Sequence, residues 1–196
     1  MKKFFALFLI AVLFSGCVTE PASTRSMQGM PTRGIWDNNV FTSEYFGFKF
    51  NLPPGWNFLT DSEIARALGI ADDFFDESLL DIMERMDGFI DMMAVNHATG
   101  TNVNISIERH GLRAPTPNSL AEAFTESGGR AVMNSGTTRI GAYDWHSYNT
   151  EIDMLNTTMY GCQFVIIENG FIRNITITAG RNESIDSVLQ WFTEIS

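Results

Sequence analysis

Apolar and polar residues along this chain alternate in short runs whose period changes several times. From Phe46 to Leu52, Phe46, Phe48, Phe50 and Leu52 alternate with Gly47, Lys49 and Asn51, the period of a strand with one buried face. Pro53-Pro54-Gly55 ends the run, because proline donates nothing to a ladder. In Thr60-Asp61-Ser62-Glu63, residues Thr60 and Glu63 form a capping box that satisfies free backbone N–H groups and opens a helix bearing Ile64, Ala67 and Leu68. A second helical pattern runs from about Glu77 through Leu79, Leu80, Ile82, Met83 and Met86.

The two-residue period returns at Phe89–Val95 and Asn102–Glu108. In the latter, Val103, Ile105 and Ile107 alternate with Asn104, Ser106 and Glu108, as in a sheet with one wet or helix-covered face. Arg113-Ala114-Pro115-Thr116-Pro117 interrupts the pattern. Asn118 or Ser119 then caps a helix with Leu120, Ala123 and Phe124, which stops near Gly128-Gly129. Strands follow at Thr137–Ile140, Tyr143–Ile152, Thr157–Ile167 and Phe171–Thr178. Asn169-Gly170 joins the last two, and such a pair suits a type I′ turn, which needs positive φ at both central residues. A final helix begins near Ser184, with Ile185, Val188, Leu189 and Phe192 at helical spacing. Hairpin-joined strands with helices among them and at the end predict an α+β domain, an antiparallel sheet covered by helices.

The N-terminus follows other rules. Met1-Lys2-Lys3 is basic, Phe4–Phe14 carries no polar side chain, and Ser15, Gly16 and Cys17 follow. That order describes an export signal. Its eleven apolar residues fall short of the roughly 20 that span a bilayer core. Phe14-Ser15-Gly16-Cys17 resembles the lipobox of bacterial lipoproteins, with Phe14 where leucine is usual. The resemblance implies cleavage between Gly16 and Cys17 and a diacylglycerol on the Cys17 thiol. More than one acyl chain makes such an anchor durable. Residues 18–38 contain Pro21, Gly29, Pro31 and Gly34 without apolar periodicity, the composition of a flexible tether. The expected organisation is a signal peptide at 1–16, the lipidated cysteine and tether at 17–39, and a single domain at 40–196.

Charge narrows the partners. The net charge of −10 becomes −12 without the leader, which holds two lysines and no acids. Nucleic acid is bound largely through phosphate neutralisation and is not expected. An anionic bilayer surface would not attract the chain either, so the lipid on Cys17 is the expected membrane contact. The location expected is extracytoplasmic, on the cell membrane or the outer membrane. Cys162 is the second of two cysteines and is read as a small buried apolar side chain rather than a reactive thiol.

Tyr45-Phe46-Gly47-Phe48-Lys49-Phe50-Asn51-Leu52-Pro53-Pro54-Gly55-Trp56 resembles the opening of PsbP-like domains. The ending, a long strand, Asn169-Gly170, another strand and a last helix holding Trp191-Phe192, is similar to theirs. The resemblance implies an α-β-α sandwich with a central antiparallel sheet, in a superfamily that acts mostly through protein binding and shares no catalytic set.

Candidate chemistry is sparse. His97, His110 and His146 lack zinc-ligand spacing, although His97 and His110 are expected near each other if their strands pair as a hairpin. Asp72, Asp73, Asp76 and Glu77, with Asp81 and Glu84, form the densest charge but lack an EF-hand pattern. Together with Phe74 and Phe75, adjacent aromatics that one narrow helical stripe cannot bury, they make a possible binding surface. No nucleophile elbow, phosphate loop or dinucleotide fingerprint occurs. The expected function is a non-enzymatic binding or assembly module for a protein or small ligand, without catalytic residues, metal or cofactor. The alternatives are an envelope hydrolase with His146 or His110 as base, and a metal- or solute-binding lipoprotein.

Overall fold

A computed structural model describes residues 31–68, 88–154, 157–179 and 184–195. The strands are β1 (Ile35–Asp37), β2 (Val40–Ser43), β3 (Phe48–Asn51), β4 (Asn57–Phe58), β5 (Gly88–Asn96), β6 (Thr101–Arg109), β7 (Arg130–Ile140), β8 (Tyr143–Met154), β9 (Thr157–Glu168), β10 (Phe171–Ala179) and β11 (Phe192–Glu194). The helices are α1 (Asp61–Leu68), α2 (Pro117–Glu126) and α3 (Ile185–Leu189). The strands form two antiparallel sheets, one ordered β1-β2-β3-β11 and one ordered β4-β5-β6-β10-β9-β8-β7.

Alternation explains how the sheets meet. Phe41, Phe48 and Phe50 of the small sheet, with Phe46 of its β2–β3 turn, are fully buried. They pack in one core with Val103, Ile105, Ile107, Phe164, Ile175 and Ile177 of the large sheet. Ile64 and Ala65 of α1 and Val188 of α3 join that core. On the opposite face, Ala121 and Phe124 of α2 pack with Tyr148 and Val165. The domain is therefore rich in antiparallel sheet. Where a helical layer was expected, much of one side is a second sheet.

Local chemistry sets the boundaries. At α1 the expected capping box forms: Thr60 N donates to Glu63 Oε2 (2.8 Å) and Glu63 N to Thr60 Oγ1 (3.3 Å). α2 differs from expectation. Its cap is Thr116, whose Oγ1 accepts from Ser119 N at 3.1 Å, and Ser119 Oγ accepts in return from Thr116 N at 2.9 Å. Pro117 suits the first helical position because the N–H it lacks has no intrahelical partner there. Asn169 and Gly170 adopt φ of 53° and 88°, as the expected turn requires.

Three expectations differ from the structure. Helix α3 stops at Leu189, and Phe192 belongs to β11, opposite Phe50. Its ring lies 4.8 Å from Phe50 and 5.0 Å from Phe48, so pairing and aromatic packing outweigh helical spacing. The strand expected from Thr137 starts at Arg130. Arg130, Ala131, Val132 and Met133 pair with Glu151, Thr150, Asn149 and Tyr148 of β8, and the register is irregular from Met133 to Thr137. The first strand begins at Ile35, ahead of residue 40, where the domain was expected to start. The expected second helix around Glu77–Met86 lies outside the described residues.

Candidate functional site: a polar strip on the large sheet

The side-chain positions on the α2 side of the large sheet fall into rows through the strand register. One row is Met93, Asn104, Thr176, Gln163, Tyr148 and Met133; the next is Ile90, Ser106, Asn174, Val165 and His146. Glu108 pairs with Gly88 and Ile172, and Asn102 with Val95 and Thr178. Met93 and Met133 end the first row and Ile90 and His146 the second, and polar residues hold the middle on β6 and β10. No Lys or Arg occupies these positions among the described residues.

The strip divides into a satisfied half and an unsatisfied half. Under α2, Tyr148 Oη donates to Gln163 Oε1 at 2.6 Å, and burial pushes the Tyr148 hydroxyl well above its ordinary value. Towards β6, Asn104 Nδ2 donates to Asn102 Oδ1 at 3.2 Å and Asn174 Nδ2 approaches Thr176 Oγ1 at 3.5 Å. Among the described residues, the Oδ1 atoms of Asn104 and Asn174 are buried without a partner. Such atoms are rare in native proteins, because leaving one unpaired costs about 1–3 kcal/mol. Asn174 is 7% exposed, whereas Asn102, Asn104, Ser106 and Glu108 are half-buried. The strip is thus closed at β10 and partly open along β6. Loss of hydration raises the Glu108 carboxyl to about 7.

A second polar cluster lies on the core side. A bulge between Ile90 and Met92 leaves Asp91 out of register, and its buried carboxylate accepts from Gly34 N at 3.1 and 3.0 Å. Arg33 sits 3.9 Å from that carboxylate and makes a two-pronged contact with Asp61 at 3.1 and 2.7 Å. Burial raises Asp91 to about 7 against the opposing pull of the Gly34 N–H and Arg33. These contacts fix the incoming chain to β5 and α1.

The remaining candidates are dispersed. His97 is in the β5–β6 turn and His110 follows the far end of β6, so the pairing that was expected to unite them separates them by the length of the strand, roughly 30 Å. His146 is exposed on β8. The described residues contain no group of three or more metal-ligating side chains. Cys162 is buried, its thiol pushed up to about 12 mainly by burial, which keeps it protonated and unreactive. The proposed surface of Asp72, Asp73, Phe74, Phe75, Asp76 and Glu77 lies outside the described residues, as do Gly16 and Cys17. Sequence reading passed over Asn174 and Thr176, whose only signal was polar residues alternating with Ile175 and Ile177. Their meeting with Asn104 and Ser106 depends on strand order.

No family model matches the chain, and no curated protein matches it. Among solved structures it is similar to the cyanobacterial PsbP (CyanoP) of Synechocystis sp. PCC 6803, with 11% identity and a TM-score of 0.47 over 90% of this chain and 100% of that one. It is also similar to a protein of Bacteroides thetaiotaomicron VPI-5482, with 12% identity and a TM-score of 0.39 over 76% and 46% of the respective chains. At these identities the site is read from this chain's own residues. No helix of the described residues is long and apolar enough to cross a membrane.

Proposed function

We propose that this chain is an extracytoplasmic lipoprotein, held to a membrane by lipid on Cys17, whose PsbP-like α+β domain acts as a non-enzymatic binding module. The observation that carries the binding role is the strip on β6 and β10, where buried amide oxygens of Asn104 and Asn174 have no partner among the described residues. Groups kept at such a cost are better explained by a ligand than by stability. The incoming chain supports the arrangement. It is fastened at Gly34 to Asp91, in the core between the sheets, while the strip is on the opposite face of the large sheet. A membrane-held domain would therefore keep its binding face clear of its tether.

The anchor is tested by expressing the full chain in a lipoprotein-processing bacterium and measuring the mass of the mature N-terminus. The expected product begins at Cys17 and carries a diacylglyceryl thioether; Cys17→Ser abolishes both. An intact leader, or an unmodified Cys17 after cleavage elsewhere, overturns the anchor. Ligand capture by the strip is tested separately, by the titration described next.

A further inference from the structure

We propose that the strip formed by Asn104, Ser106, Glu108 and Asn174 binds a small primary amine that also carries hydroxyl donors, a ligand of the amino-alcohol class. This rests on the reading of the strip as a binding face. Three observations select the class. The unpaired atoms are both oxygen acceptors, so the ligand must bring N–H or O–H donors. An ammonium brings three donors and no acceptor. The half-buried Glu108 supplies the one negative charge, with no Lys or Arg on the same face of β5, β6, β9 and β10 to neutralise it. An anionic ligand would meet acceptors and a carboxylate, and is disfavoured.

Spacing adds the hydroxyls. Asn174 is opposite Ser106, diagonal to both Glu108 and Asn104, at roughly 7–8 Å between Cα atoms. An ammonium between Glu108 and Asn174 leaves Asn104 out of reach. A hydroxyl on the next carbons of the same molecule would donate to Asn104 and accept from Ser106. Glu108, whose carboxyl burial has raised to about 7, would regain a counter-charge. No covalent step is involved.

The test is calorimetric titration of the full-length protein in detergent micelles at pH 8 with 3-amino-1,2-propanediol, glycerol and calcium chloride. Saturable binding is expected for the amine alone, weakened at least tenfold by Glu108→Gln and abolished by Asn174→Val. Glycerol binding as tightly as the amine would make the site a neutral polyol site, and binding of calcium alone would make it a metal site; either overturns the proposal, as does no binding at all. Asn174→Val also separates ligand binding from structure. Removing a buried amide whose oxygen has no partner among the described residues should raise the urea midpoint, and a lowered midpoint would mean the amide is structural. Lipidation of Cys17 is read independently, so loss of amine binding with Cys17 modified sinks this site and leaves the anchor standing.

Discussion

Arg173 Nη1 donates to the carbonyl oxygen of Tyr45 at 2.8 Å, joining the central strand of the large sheet to the β2–β3 turn of the small one. The guanidinium is 4% exposed, lies 4.9 Å from the Tyr45 ring and 4.6 Å from the Tyr143 ring, and pairs with Glu168. A cation between two aromatic faces needs a delocalised, weakly hydrated charge, which arginine has and lysine lacks. Arg173→Met is expected to destabilise the domain by about 2–3 kcal/mol, because it strands the Tyr45 carbonyl and removes both ring contacts. Arg173→Lys should recover only part. Urea unfolding followed by tryptophan fluorescence measures both, and equal stability of the lysine variant and the parent would refute the role of the fork.

The same turn contains a steric prediction. Gly47 has φ +72°, and a Cβ there would stand 2.4 Å from a Tyr143 ring carbon. Gly47→Ala should cost more than the roughly 1 kcal/mol of a positive-φ penalty alone. Shrinking the ring with Tyr143→Ala in the Gly47→Ala background should return part of the loss, which a double-mutant cycle detects.

Asp91 predicts a pH dependence. Its folded value of about 7 is far above that of an unfolded aspartate. Between those values the folded state holds a proton the unfolded state has released, so stability falls as pH rises from about 4 to about 7 and then levels. Asp91→Asn removes this contribution while keeping an oxygen for the Gly34 N–H. The stability of wild type relative to the variant should fall by on the order of 1 kcal/mol per pH unit across that window. Glu108, with a similar shift, contributes equally to both proteins and cancels. Urea midpoints at pH 4.5 and 7.5 that differ by the same amount in both proteins would contradict it.

Cys162 should be inert in the native state. With its thiol at about 12 and its side chain in the core, modification by an aromatic disulfide reagent at pH 8 should proceed only as fast as the domain opens. The rate should therefore rise with urea in step with unfolding. Rapid modification in the absence of denaturant would show an accessible thiolate.

The N-cap of α2 offers a smaller test. Thr116→Ala removes the oxygen that accepts from Ser119 N and is expected to cost about 1 kcal/mol. Asn118→Ala, at one of the two positions the sequence suggested as the cap, should cost less than half of that.

The sequence by itself determined what short-range physics controls. The capping box at Thr60 and Glu63, the Asn169-Gly170 turn and the alternation of Val103, Ile105 and Ile107 are each set by a few neighbouring residues. They appear in the fold as the pattern required. Phe192 shows the limit: its helical spacing from Val188 and Leu189 is local, but pairing with Phe50 across more than a hundred residues decides its conformation. His97 and His110 show the same limit, since hairpin register sets them apart. The candidate strip belongs wholly to the tertiary level. Asn104 and Ser106 read in sequence only as the polar face of one strand, and Asn174 lies on another strand far away in the chain. They become neighbours because β10 inserts between β6 and β9, and only that placement buries Asn174 and leaves its oxygen without a partner.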